Sequence, residues 1–260
     1  NKDINVVGTA TGAITYAQGA NTAGPFKAGA LTITATYALD PGAIPNINSL
    51  TGVGSAGLGP VAMTQVSATV YTYTYTVVTN NGTTNIDGTG TLTLSTASSN
   101  NTFIIDTIAP AAPGTPDLTA ATDTGVSSTD NVTTNTTPQF DVTCAIGASV
   151  QLYVDAVATG TAATCSSSPV TLTAGTLSEG TRSITAMQTD PAGNTSVASG
   201  ALSVKIDNTA PTAPSGVSVL TYTNTTSADV TFVPGTDANI TTSNVKLCTS
   251  NDCATGCVGA

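Results

Sequence analysis

Ile105-Asp106-Thr107-Ile108-Ala109-Pro110-Ala111-Ala112-Pro113 and, 101 residues later, Ile206-Asp207-Asn208-Thr209-Ala210-Pro211-Thr212-Ala213-Pro214 are one phrase used twice. Each runs Ile-Asp, then Ala-Pro, then a second Ala-Pro. Proline has no N–H to give a ladder, so a strand that reaches Ile-Asp stops there. A period near one hundred residues is too long for a solenoid repeat and suits whole β-sandwich domains in series. The spacing predicts three beads, over 1–108, 109–209 and 210–260, the last incomplete.

Outward from the repeated phrase, the chain reads as strands. Ala30–Tyr37 and Val66–Val77 alternate apolar residues with threonine at period two, the mark of a half-buried strand. Gly90–Leu94 and Thr102–Ile105 continue the first bead, with a turn at Asn80-Asn81-Gly82 and a long irregular crossing expected over 40–65. In the second bead the candidates are Gln139–Ala145, Val150–Asp155, Thr159–Cys165, Val170–Ala174, Thr181–Thr189 and Ala201–Ile206. No stretch has helical period, and the expected class is all-β.

Composition narrows the function. Threonine makes up about a fifth of the chain, far above ordinary usage, and it can cover a solvated strand face where Lys and Glu do so elsewhere. Five basic residues against fifteen acids give a net charge of −10, and Lys2, Lys27, Arg182, Lys205 and Lys246 are scattered. With no basic patch to meet phosphates, nucleic-acid binding is set aside. No apolar run reaches the length of a membrane helix. Such a hydroxyl-rich, charge-poor chain resembles secreted bacterial surface proteins.

Five cysteines are patterned. Cys144 and Cys165 stand at the ends of two predicted strands; if those ends meet, a disulfide closes a loop of about twenty residues. Cys248, Cys253 and Cys257 form C-x4-C-x3-C, read as one local pair with a third partner outside the chain. Zinc is the competing reading of that cluster, and with no histidine anywhere it requires a further ligand.

Residues 116–206 resemble the bacterial Ig-like repeats of giant surface adhesins and biofilm-associated proteins. The resemblance is carried in order by Pro116-Asp117-Leu118, Asp123-Thr124-Gly125-Val126-Ser127-Ser128-Thr129-Asp130-Asn131, Thr137-Pro138-Gln139-Phe140, Gly147–Asp155 and Thr189-Asp190-Pro191-Ala192-Gly193-Asn194. The cysteine pair departs from the usual repeat, so this copy is expected to be individually stapled. The first bead is similar to a related Ig-like variety through Gly24–Gly29 and its threonine-alternating strands. After Pro214, Ser215–Leu220, Ala228–Val233 and Asn244–Cys248 resemble the front half of a fibronectin type III-like domain. Half a sandwich leaves unpaired edges, so either the polypeptide continues or another subunit adds strands. The fold implied is tandem Ig-like β-sandwiches joined by short Pro-containing linkers.

No catalytic constellation is present. Without histidine there is no Ser-His or Cys-His couple, and Glu179 is the sole glutamate. Gly52-Val53-Gly54-Ser55-Ala56-Gly57 lacks the following helix that a phosphate loop needs. Calcium is the one cofactor with an argument. Asp106, Asp123, Asp130, Asp190 and Asp207 fall near predicted domain ends, and hard oxygen ligands gathered there suit it. The resembled adhesin repeats often use calcium at such joints. The plainer reading is that these aspartates cap turns.

These observations predict an extracellular structural protein on a bacterial surface: a subunit of a filament, surface layer or long adhesin stalk. It would work by mechanical extension and by self-assembly or contact with neighbouring Ig-like domains. The alternative is a ligand-binding adhesin module that recognises a glycan or host protein. Tyr71, Tyr73 and Tyr75 form an i, i+2, i+4 row that would serve recognition or assembly if exposed, and core packing if not.

Overall fold

The first threonine-alternating strands fold because period-two sequences expose one face and bury the other. In the computed structural model, which describes residues 10–53, 58–219, 230–233, 235–236, 246–248 and 257–259, every regular element is a strand. Nine belong to the first bead: β1 (Gly12–Ala17), β2 (Gly29–Tyr37), β3 (Asn46–Thr51), β4 (Val61–Ala62), β5 (Thr64–Ser67), β6 (Val70–Val77), β7 (Gly88–Leu94), β8 (Ser98–Ser99) and β9 (Thr102–Ile105). They form two sheets, ordered β5-β6-β2-β1-β8 and β4-β3-β7-β9.

Between those sheets lies one hydrophobic core. Ile14 and Tyr16 of β1, Leu31 and Ile33 of β2, and Tyr71 and Tyr75 of β6 enter from one side. Ile47, Leu92, Phe103 and Ile105 enter from the other, with Phe26 between β1 and β2 in sequence. The aromatic rings meet edge-on: Tyr37 and Tyr71 lie 5.8 Å apart at 84°, and Tyr75 and Phe103 6.4 Å apart at 62°. Such arrangements set a positive ring edge against a negative face. An added Cβ at Gly90 would come within 2.8 Å of the Phe103 ring, so glycine is what lets that ring lie on the β7 backbone.

The structure departs from two sequence expectations. Val66–Val77 is not one strand: β5 and β6 form a hairpin that turns at Ala68-Thr69, with Thr64 opposite Thr72. The turn uses none of the usual Gly, Asn or Pro signals, so the alternation runs unbroken through it in sequence. The crossing over 40–65 holds β3 and β4. Its alternation is hidden by a register shift between Ile47 and Ser49, which places the buried Ile47 and Leu50 three residues apart. β1, not singled out in the sequence, pairs with β2 along its whole length.

Eight strands follow the first Ala-Pro phrase: β10 (Asp117–Leu118), β11 (Val132–Thr133), β12 (Gln139–Val142), β13 (Ser149–Val154), β14 (Val157–Thr164), β15 (Val170–Thr173), β16 (Gly180–Thr189) and β17 (Leu202–Ile206). Backbone contacts divide the chain into two compact units, one comprising residues 1–117, 140–172 and 184–202, the other 118–139, 173–183 and 203–260. Inside the first unit, β13 pairs antiparallel with β14 and β16, and Val150 and Leu152 are buried. Inside the second, β11 runs parallel to β17, Val132 opposite Lys205 and Thr133 opposite Ile206.

Beyond the second Ala-Pro phrase, β18 (Ser215–Val219) pairs with β19 (Val230–Val233), and β20 (Lys246–Cys248) pairs with β21 (Cys257–Gly259). β21 is a strand the sequence reading did not include. No helix among the described residues is long and apolar enough to cross a membrane.

Candidate functional site

Cys144 follows β12 and Cys165 follows β14, and a disulfide joins them with their Cα atoms 6.2 Å apart. Cys165 is wholly buried, its N–H donating to the Ala148 carbonyl at 2.8 Å and its own carbonyl receiving the Gly147 N–H at 2.9 Å. The Cys144 N–H donates to Ser168 Oγ at 3.0 Å. The bond therefore encloses the β13–β14 hairpin in a covalent loop whose two ends are also hydrogen-bonded. Of the terminal cysteines, the backbone register sets Cys248 opposite Cys257, while Cys253 lies outside the described residues.

The five aspartates fall into two places. Asp106 and Asp190 meet through Asn194, whose side-chain amide donates to the Asp106 carbonyl and to Asp190 Oδ2, both at 2.9 Å. Asp190 Oδ1 also receives the Asn194 N–H at 2.9 Å, and Lys27 Nζ donates to the neighbouring Gly193 carbonyl at 3.2 Å. Asp87, which sequence reasoning missed, fixes the repeated phrase at its third residue. Its carboxylate takes the N–H and the hydroxyl of Thr107, each at 2.9 Å. Burial raises the Asp106 carboxyl above its ordinary value of 3.8; the charges of Asp190 and Asp87 add to this, and the Ile108 N–H works against it.

Asp123, Asp130 and Asp207 belong to the other unit. Asp123 is 4 % exposed; its Oδ2 receives the Asn131 N–H at 3.1 Å, and its Oδ1 is buried without a partner. Asp130 turns its own loop, accepting from Val132 and Ser127 at 3.1 Å each. Asp207 is 5 % exposed, and both of its carboxylate oxygens are buried and unpartnered. Backbone bonds link the two buried acids to the same ladder: the Asn131 carbonyl receives the Lys205 N–H, and Thr133 receives that of Asp207. Burial raises the Asp123 carboxyl above its ordinary 3.8, and the Asp130 charge adds to it. Among the described residues, no three ligating side chains gather in one cluster. Three buried carboxylate oxygens without donors are nonetheless a costly arrangement that a bound cation would relieve.

The tyrosine row faces inward. Tyr71 is 1 % exposed, Tyr75 is 7 % exposed and Tyr73 packs half-buried against the same core, so the row offers no recognition surface. Strand alternation alone puts i, i+2 and i+4 on one face without saying which.

Residues 107–208 match the family model of the bacterial Ig-like domain, starting and ending within the two copies of the Ala-Pro phrase. This stretch is a bacterial Ig-like domain. The disulfide and the aspartates 123, 130, 190 and 207 all lie inside the Ig-like domain, and Asp106 immediately precedes it. No curated protein matches the chain. Among solved structures, the chain is similar to the fibronectin(III)-like modules of Clostridium thermocellum CbhA, at 16 % identity and a TM-score of 0.39, over 74 % of this chain and 94 % of that one. It is also similar to the BSP domain of a biofilm associated protein, at 17 % identity and a TM-score of 0.26, over 69 % of this chain and 28 % of that one. At those scores neither likeness bears on function.

Proposed function

We propose that this chain is a segment of an extracellular bacterial structural protein, with sandwich domains at 1–108 and 109–209 and a fibronectin type III-like domain beginning at 210. Its work is mechanical: to hold a filament, surface layer or adhesin stalk extended, and to associate with copies of itself or with neighbouring Ig-like domains. The observation that carries this reading is the bacterial Ig-like domain bounded on both sides by the same proline phrase. A module framed at both ends by one linker is built to be strung in series. The disulfide supports an oxidising, extracellular setting.

Calcium belongs to the same proposal. Asp123 and Asp207 supply hard, anionic oxygens that lack donors, which is the chemistry calcium accepts, and the cation would neutralise charge buried beside the β11–β17 ladder. Immunogold labelling of intact cells of the source organism tests the location. Label on the outer surface is expected; label that requires permeabilised cells would contradict the proposal.

A further inference from the structure

The outward face of the β5-β6-β2-β1 sheet is a threonine surface in register. Thr64 lies opposite Thr72, Thr72 opposite Thr34, and Thr34 opposite Thr15, so one row of threonines crosses four strands. Thr74 and Thr32 pair directly beside it. These strands carry no charged residue at all. On β1, β2 and β6 the inward positions between these threonines are the apolar and tyrosine residues of the core, so the face those three strands turn to solvent is methyl and hydroxyl groups, while β5 at the edge is exposed along its length and adds Gln65 and Val66. Among the described residues, no intrachain hydrogen bond engages the hydroxyls of the four-strand row.

We propose that this face is the surface through which one copy of the chain packs on a second, a proposal that rests on the self-association reading above. Charge argues for a like partner. The chain has a net charge of −10, so copies repel, and they approach at least Coulombic cost through a face that carries none. Shape argues for it too. Two twisted sheets stack face to face with strands about 30° apart, a geometry that the twist itself produces, and small side chains allow close approach. A glycan partner would want aromatic platforms, and the tyrosines of β6 point the other way. At strand spacings of about 4.8 Å and residue rises of about 3.4 Å the face covers roughly 450 Å2. That is below the roughly 800 Å2 per partner of a stable pair, so one contact is weak and a series of them along a filament is strong.

Sedimentation velocity on the 260-residue chain, from micromolar to near-millimolar concentration, tests this, with Thr34→Lys and Thr72→Lys against a Thr93→Lys control on the other sheet. All three substitutions are at positions turned away from the core, and each lowers the net negative charge equally. The expected result is reversible association of the parent, weakened at least tenfold by T34K and by T72K and unchanged by T93K, with circular dichroism and melting temperature preserved in all three. Parent association that T34K and T72K leave intact, or that T93K weakens equally, overturns the assignment of this face and leaves self-association standing. A parent that stays monomeric throughout, and forms no filament, overturns the face and the self-association reading together.

Discussion

Asp207 donates its backbone N–H to the Thr133 carbonyl at 2.9 Å, yet neither oxygen of its carboxylate has a partner. The main chain is thus held in the β11–β17 ladder at the point where this carboxyl group is buried. An ionised carboxylate in that position costs several kcal/mol unless it is neutralised. A cation bound only by the folded state adds about 2.7 kcal/mol at a hundredfold excess over its Kd. Calcium is therefore expected to raise the melting temperature by several degrees and excess EGTA to reverse it. Asp207→Asn is expected to raise the midpoint in EGTA and to abolish the calcium response. An identical scan with and without chelator would remove the cation from the account.

Asp123 predicts the pH dependence without calcium. Its carboxyl is raised in the fold, chiefly by burial and then by Asp130, so the folded chain holds that proton more tightly than the unfolded chain does. The sign follows: stability is lowest above the raised value and recovers as pH falls toward the ordinary 3.8. Asp106 has the same sign. Urea unfolding in EGTA between about pH 4 and pH 7 should show stability rising on acidification, with Asp123→Asn flattening the slope. A carboxylate stabilised by an unseen donor would give the opposite slope.

The disulfide predicts a mechanical length. Cys144 and Cys165 are 21 residues apart, so under force the closed loop withholds about 70 Å of extended chain. Single-molecule stretching in reducing buffer should lengthen the unfolding step of the Ig-like domain by that amount. Stability should fall by about 3 kcal/mol, the loop-entropy value for a ring of this size. Equal step lengths in both buffers would place the bond outside the loaded segment.

Gly90 and Phe103 predict a packing cost. An added methyl at Gly90 would press on the buried ring, and overpacking of this kind costs about 1–3 kcal/mol. Gly90→Ala should lower the denaturation midpoint of the first sandwich, and Gly90→Ala with Phe103→Leu should recover part of the loss. No change in G90A would mean that the ring does not rest on the β7 backbone.

Much of the fold is legible in sequence where one physical rule acts alone. The alternation in Ala30–Tyr37 predicted β2 to within a residue, because a half-buried strand has few other patterns available. The repeated Ala-Pro phrase bounds the Ig-like domain because proline ends a ladder wherever it stands. Reading failed where rules overlapped: a bulge displaced the pattern of β3, and a hairpin at Ala68-Thr69 turned with no turn residue to mark it. At the site, the aspartates could be picked out as candidates, but which of them are buried could not be read. Asp207 and Asp130 look alike in sequence, and only the packing around β17 leaves one without donors and the other turning an exposed loop. Asp87 gave no signal at all, since its partner Thr107 lies 20 residues away.

Negative-stain electron microscopy of the protein purified from its source, without crosslinker, is the decisive test of the proposed self-associating structural segment. Filaments or sheets with a regular axial repeat are the predicted result. Isolated particles at every concentration, with calcium and without it, would contradict the claim.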